Sequence, residues 1–147
     1  MKMKTNRQIT KAMLEEYGIH SVNWDKDNNE WWIDRYWYDR SAKTRTHRRI
    51  KVTRAVCKHK YTQDKVYPIV NFSYGNKVIS LPLARFLFAW FKGEVKDGQV
   101  VDHIDNDPFN NHLDNLQVLS PEENLAKRFI DNPKANRNQW DAIKGRE

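Results

Sequence analysis

Cysteine is nearly missing from this sequence. Cys57 stands alone, which excludes an intramolecular disulfide framework and any zinc site built on cysteines. It reads as a small buried or half-buried residue rather than a nucleophile. Long apolar runs are missing as well: none follows Lys2 and Lys4, and no segment approaches the ~18 uncharged apolar residues of a membrane span. No long helix with one apolar and one basic face is legible, which argues against an anionic membrane surface as partner. Internal repeats and low-complexity tracts are also lacking. A soluble, cytoplasmic protein is the expectation.

Acidic residues are scarce where basic ones crowd. Between Arg40 and Lys65 the chain places Lys43, Arg45, Arg48, Arg49, Lys51, Arg54, Lys58 and Lys60, opposed only by Asp64. Over the whole chain, 26 Lys and Arg against 19 Asp and Glu leave a formal charge of +7. A polyanion is the natural partner, and Arg45, Arg48, Arg49, Lys51 and Arg54 are candidate phosphate contacts. A solvated, salt-laced surface is the plainer reading of the same residues.

The length of 147 residues fits one domain, or a small catalytic module with an extension. From Thr5 to Tyr17 the pattern predicts a helix, with Thr5 as cap, Ile9, Met13 and Leu14 on one face, and Gly18 as stop. Asp27-Asn28-Asn29 forms a turn ahead of an aromatic strand over Trp31–Tyr38. Its aromatics pack a sheet face or stack bases. Arg45 to Val56 reads as one strand with a basic face. Tyr67 to Leu81 reads as a hairpin turning through Ser73-Tyr74-Gly75-Asn76. Pro82 then opens a helix that carries Leu83, Phe86, Leu87, Trp90 and Phe91 on helical spacing. Beyond Asp131 the chain is polar, with Pro133, and reads as a tail or a short helix around Trp140.

The densest chemistry lies from Val100 to Arg128. Val100 and Val101 begin a strand, Asp105 to Asp114 form an Asx-rich loop, Leu116 to Leu119 form a second strand, and a helix starts at Pro121. Ser120 followed by Glu123 is a capping box. Taken singly, Asp102 and His103 make a surface pair, Asn115 closes a loop, and Asn124 is an ordinary helix residue. His112 reads as a loop residue and Glu123 as a cap, while Asp105, Asn106 and Asn111 lock the loop. Together, the run Asp102-His103-Ile104-Asp105, then Asn110-Asn111, Asn115-Leu116 and Glu123-Asn124, resembles the HNH endonucleases of phage and homing type. The resemblance extends more weakly to the preceding hairpin and helix, and leaves the first 60 or so residues uncovered.

That resemblance implies an α+β fold: a ββα-metal nuclease module at 66–130, preceded by an N-terminal DNA-contacting extension at 1–65 and followed by a tail at 131–147. A module of about 45 residues buries too little alone, so the hairpin and the helix from Leu83 should complete its core. Some relatives staple the module with a four-cysteine zinc site, which this chain cannot build, so no structural zinc is expected. The implied activity is metal-dependent hydrolysis of DNA to 5′-phosphate and 3′-hydroxyl ends. His103 would be the general base, since histidine ordinarily titrates near working pH, at ~6.5. The side-chain oxygen of Asn115 would accept the other ring N–H of His103. Asp102 and Asn124 would hold one divalent ion, Mg²⁺ or Mn²⁺, through oxygens. Neighbours on a strand point to opposite faces, so a twist or bulge would have to bring Asp102 and His103 together. Lys127 and Arg128 are further phosphate candidates. One site per chain makes nicking the simplest outcome, and the oligomeric state is open. The alternatives are an inactive DNA-binding or host-protein-binding module on the same scaffold, or an RNA substrate.

Overall fold

The structure is a computed structural model that describes residues 7–39, 41–58 and 65–131. Thr5, Arg40, Lys60, Asp64 and the segment holding Pro133 and Trp140 lie outside the described residues. The fold is α+β, with three small antiparallel sheets and three α-helices among the described residues. Strands β1 (Ile19–Asp25), β2 (Glu30–Asp39) and β3 (Thr44–Ile50) form the first sheet in that order. Strands β4 (Val52–Cys57), β5 (Lys65–Tyr74) and β6 (Lys77–Pro82) form the second, and β7 (Val100–His103) with β8 (Leu116–Leu119) the third. Helices α1 (Lys11–Glu16), α2 (Leu83–Phe91) and α3 (Pro121–Asp131) complete the fold. None of the described helices is long and apolar enough to cross a membrane.

Helix α1 is shorter than its sequence pattern predicts. Thr10 caps it, its hydroxyl accepting from the Met13 N–H at 3.2 Å. Ile9, anticipated on the helix face, is instead extended: it exchanges backbone hydrogen bonds with Val95 and is buried there. Gly18 stops the helix at φ +97°, and a Cβ on it would lie 1.9 Å from the Tyr36 carbonyl oxygen. Only glycine fits that approach.

Strand β1 carries no clean alternation in the sequence because its pairing with β2 shifts between Ile19 and Ser21. The turn into β2 is held by Asp25, whose carboxylate accepts from the Asp27 N–H and from the Asn28 side-chain amide. The basic strand read as one piece is two. Ile50 pairs with Ile33 in the first sheet and Val52 with Val70 in the second, the chain changing sheets at Lys51. Ile50 and Val52 both face inward, so the period-two pattern runs on through the break and hides it. Pairing of β4 with β5 carries the second sheet across position 65.

Helix α2 is the centre of the core: Leu83, Ala84, Phe86, Leu87 and Ala89 are buried, together with Leu81, Val95 and Leu116. It packs against β7, β8 and β5. Arg85 is buried in the same helix, and its guanidinium donates to the Gln99 carbonyl at 2.6 Å and to the Arg7 carbonyl. Burial lowers the pKa of Arg85, and the two backbone acceptors compensate the buried cation. Lys92, at the end of α2, donates to the Leu116 carbonyl at 3.0 Å. A core helix thus fixes the base of β7 and β8.

Candidate active site

The site grows from the loop between β7 and β8, and Asp105 is its hub. One carboxylate oxygen accepts from the Asp107 N–H at 2.9 Å and from the Asn115 side-chain amide at 2.8 Å; the other accepts from the Asn110 amide at 2.7 Å. Those donors, Asn110 foremost, hold the Asp105 pKa at about 2. Asn115 closes the ring: its Oδ1 accepts from the Asp105 N–H at 3.1 Å, and its Nδ2 also donates to the Asn110 carbonyl at 2.9 Å. Asn106 takes a left-handed φ of +65°, which asparagine tolerates, and its N–H turns back to the His103 carbonyl. Of the Asx residues read as loop locks, Asp105 and Asn111 bond side chain to backbone within the loop, whereas the Asn106 carboxamide oxygen accepts from Lys127 further along the chain; Asn115 is fastened with the loop.

The His103 ring is held by a different asparagine from the one the motif suggests. Its Nε2 lies 2.8 Å from Oδ1 of Asn111, which is only 5% exposed. Nδ2 of Asn111 donates to the Pro108 carbonyl at 3.0 Å, which fixes the carboxamide with its oxygen toward the ring. A carboxamide oxygen only accepts, so Nε2 carries the hydrogen and Nδ1 keeps its lone pair. The ring is thereby set in the tautomer that takes a proton at Nδ1. Asn115 Oδ1, the expected partner, is committed to the Asp105 backbone.

Asp102 is held by a different set of partners. β7 and β8 pair in unbroken register, Asp102 opposite Gln117 and His103 opposite Leu116, without the inserted residue of a bulge. Asp102 Oδ2 accepts from Gln117 Nε2 at 2.8 Å and from the Lys127 ammonium at 2.9 Å. Helix α3 brings Lys127 there. Ser120 and Glu123 form the anticipated capping box, the Ser120 hydroxyl accepting from the Glu123 N–H at 3.1 Å. Asn124 sits one turn before Lys127, so the two neighbour each other on the helix surface. Its carboxamide is half-buried and makes no hydrogen bond to another described residue. Among the described residues, no hydrogen bond joins any two of the side chains of Asp102, His103, Asn115 and Asn124; Asp102 is tied to α3 through Lys127, and His103 to the loop through Asn111.

The donor set suits a hard cation. Asp102 and Asn124 would offer a carboxylate and an amide oxygen, and among the described residues no three or more His, Cys, Asp or Glu gather in a group that could hold a metal ion. Two protein oxygens with the remaining positions left to water and phosphate is the arrangement a Mg²⁺-like ion accepts.

The basic residues divide among several places. On β3, Arg45, His47 and Arg49 share one face of the first sheet with Trp32, Asp34 and Tyr36; Ile50 and Ile33 are buried on the other. The Arg49 guanidinium lies 3.7 Å from the Trp32 ring centroid and 3.4 Å from Asp34. His47 stacks against Tyr36 at 4.6 Å, and His20 meets Tyr36 at 4.9 Å. Arg48 is paired in register with Arg35 and stands over Trp37. Arg54, on β4, places its guanidinium 5.3 Å from the Phe109 ring, against the site loop. Lys51 and Arg128 are exposed, the first between two sheets and the second on α3. His112 is a loop residue as read, its ring 4.9 Å from Trp24 of β1.

Sequence reasoning missed the roles of Asn111 and Gln117. Gln117 was findable, since pairing the two strands with His103 opposite Leu116 puts it across from Asp102. Asn111 carried no signal separating it from Asn110.

Residues 84–126 match the family model described as HNH endonuclease. Comparison with curated proteins and with solved structures found no match. The matched stretch begins in α2, takes in β7, the Asx loop and β8, and ends in α3, so it contains Asp102, His103, Asn115 and Asn124 together with Asn111 and Gln117. Over that stretch the chain is similar to the HNH endonuclease family.

Proposed function

We propose that this chain is a metal-dependent DNA endonuclease that hydrolyses phosphodiester bonds to 5′-phosphate and 3′-hydroxyl ends, with β7, β8 and α3 as its ββα-metal unit. The observation that carries this reading is the His103 ring, half-buried and oriented through Nε2 by Asn111. Nδ1 of His103 takes the proton of the attacking water. Asn111 is the positioning residue that keeps this nitrogen unprotonated, and Asn115 positions the loop that carries Asn111. Asp102 and Asn124 would hold one divalent ion, Mg²⁺ or Mn²⁺. Such an ion, when bound, neutralises charge developing at the leaving 3′-oxygen. Arg54 and Arg128 flank the site and contact the DNA backbone there. Arg45, Arg48, Arg49 and Lys51 contact it further out. With one site per chain, the simplest product is a nick.

One observation favours a second reading, an inactive DNA-binding module: the Lys127 ammonium already neutralises Asp102. Incubating supercoiled plasmid with Mg²⁺ or Mn²⁺ and either the parent chain or His103→Ala separates the two. The endonuclease reading expects nicked circles from the parent, with ligatable ends, and at least about a hundredfold fewer from the variant. Equal and absent nicking by both would leave the binding module.

A further inference from the structure

The surroundings of Lys127 resemble those of a bound cation. Its ammonium lies 2.9 Å from Asp102 Oδ2, 3.0 Å from the His103 carbonyl oxygen and 2.6 Å from Asn106 Oδ1. These three oxygens come from a carboxylate, a main-chain carbonyl and an amide, the kinds of donor that hard metal ions also take. The lysine side chain is 19% exposed and Asp102 14%, so the pair is largely withdrawn from water. Lys127 also follows Asn124 by one helical turn, which puts the ammonium and the Asn124 carboxamide on one face of α3, toward β7.

A divalent ion held by Asp102 and Asn124 would sit beside that ammonium, and two positive charges at such a distance repel. We propose that Lys127 is the internal counter-ion of Asp102, that it leaves the carboxylate when the divalent ion binds, and that a DNA phosphate receives it. This inference rests on the metal-dependent nuclease reading and adds a coupling to it. A flexible four-carbon stem lets the ammonium swing from Asp102 toward the substrate without moving α3. Without DNA, Lys127 competes with the metal; with DNA, the phosphate takes the lysine and frees the carboxylate. Metal and DNA therefore each promote binding of the other, as linkage requires.

The test is Mn²⁺ binding by calorimetry to the full chain, as parent, Lys127→Met and Lys127→Gln. Met keeps the length of the stem and removes the charge. Gln keeps an N–H donor near Asp102 and serves where Met at this position compromises folding. Both variants are expected to bind Mn²⁺ about tenfold more tightly than the parent, the worth of one hydrogen bond to a charged group. In a His103→Ala background, where the duplex stays intact, a short DNA duplex is expected to tighten Mn²⁺ binding, and less so once Lys127 is replaced. Equal or weaker Mn²⁺ binding by both folded variants, beside a parent that binds, overturns the inference and makes Lys127 a structural tie only. A parent that binds no Mn²⁺ even with duplex overturns the metal reading, and this inference with it.

Discussion

Replacing Asn111 by alanine tests the part of the site that the sequence did not disclose. The carboxamide is buried and makes two hydrogen bonds, with His103 Nε2 at 2.8 Å and with the Pro108 carbonyl at 3.0 Å. Alanine removes both and leaves a carbonyl and a ring N–H without partners. A buried group left unpaired costs about 1–3 kcal/mol, so a stability loss of about 2–3 kcal/mol is expected in urea denaturation. The catalytic effect has a separate origin. The freed ring can rotate and can place its hydrogen on Nδ1, the nitrogen needed as base, and partners of this supporting kind typically contribute about 10–100-fold. Plasmid nicking well below the unfolding transition should therefore show kcat falling about 10–100-fold, while duplex Kd, read by fluorescence anisotropy, stays within about twofold. Asn115→Ala is the contrast. It removes three bonds within the loop and none to the ring, so faster amide exchange across residues 105–111 should accompany any loss of rate. An unchanged kcat in Asn111→Ala would refute the assignment. So would a larger loss in Asn115→Ala with the loop still protected.

Three further outcomes follow from the geometry. Arg45→Ala combined with Arg49→Ala removes two cations from the exposed face of the first sheet, and the slope of log K against log salt for duplex binding should fall by about two; an unchanged slope would remove that face from the DNA interface. Asp105, held at about 2 against the ordinary carboxylate value of 3.8, supports the loop fully above that ordinary value, and its contribution is lost as pH falls through about 2. Carbon NMR of its carboxyl group should titrate near 2 and move upward in Asn110→Ala, and titration at the ordinary value would refute the loop hub. Gly18→Ala should destabilise by at least about 2 kcal/mol, because φ is +97° and the new Cβ would meet the Tyr36 carbonyl. A thermal midpoint equal to the parent's would show that the turn relaxes freely.

The legible parts of the molecule were those in which local chemistry and tertiary packing demand the same thing. Helix α2, β8 and the capped start of α3 stand where pattern and capping residues put them, since Pro82 marks the start of α2 and the Ser120–Glu123 capping box separates β8 from α3. Strand β1 was hidden by a shift in register that spoils alternation, and the break at Lys51 by a pattern that continues across two sheets. Residue types and spacing pointed to Asp102, His103, Asn115 and Asn124, but hydrogen-bond partners depend on how the loop folds back. Asn110, Asn111 and Asn115 are chemically identical. Burial and the position of the Pro108 carbonyl decide that Asn111 faces the ring, and neither is written in local sequence.

The same reasoning gives the N-terminal sheets a part in shaping the site, beyond any contact with DNA. The β7–β8 hairpin is four residues a side and cannot bury a core of its own. Leu116 anchors it below in the α2 core, and Lys92 and Arg85 clip the backbone at either end. Its loop is covered from the other side: Trp24 meets His112, whose neighbour Asn111 holds the His103 ring, and Arg54 lies over Phe109, next to Pro108. Trp31 in turn packs on Phe91 at the end of α2. Apolar and aromatic contacts thus supply the rigidity that a zinc staple would supply in a cysteine-rich module. The scaffold beside His103 therefore draws on β1 and β4 as well as on α2.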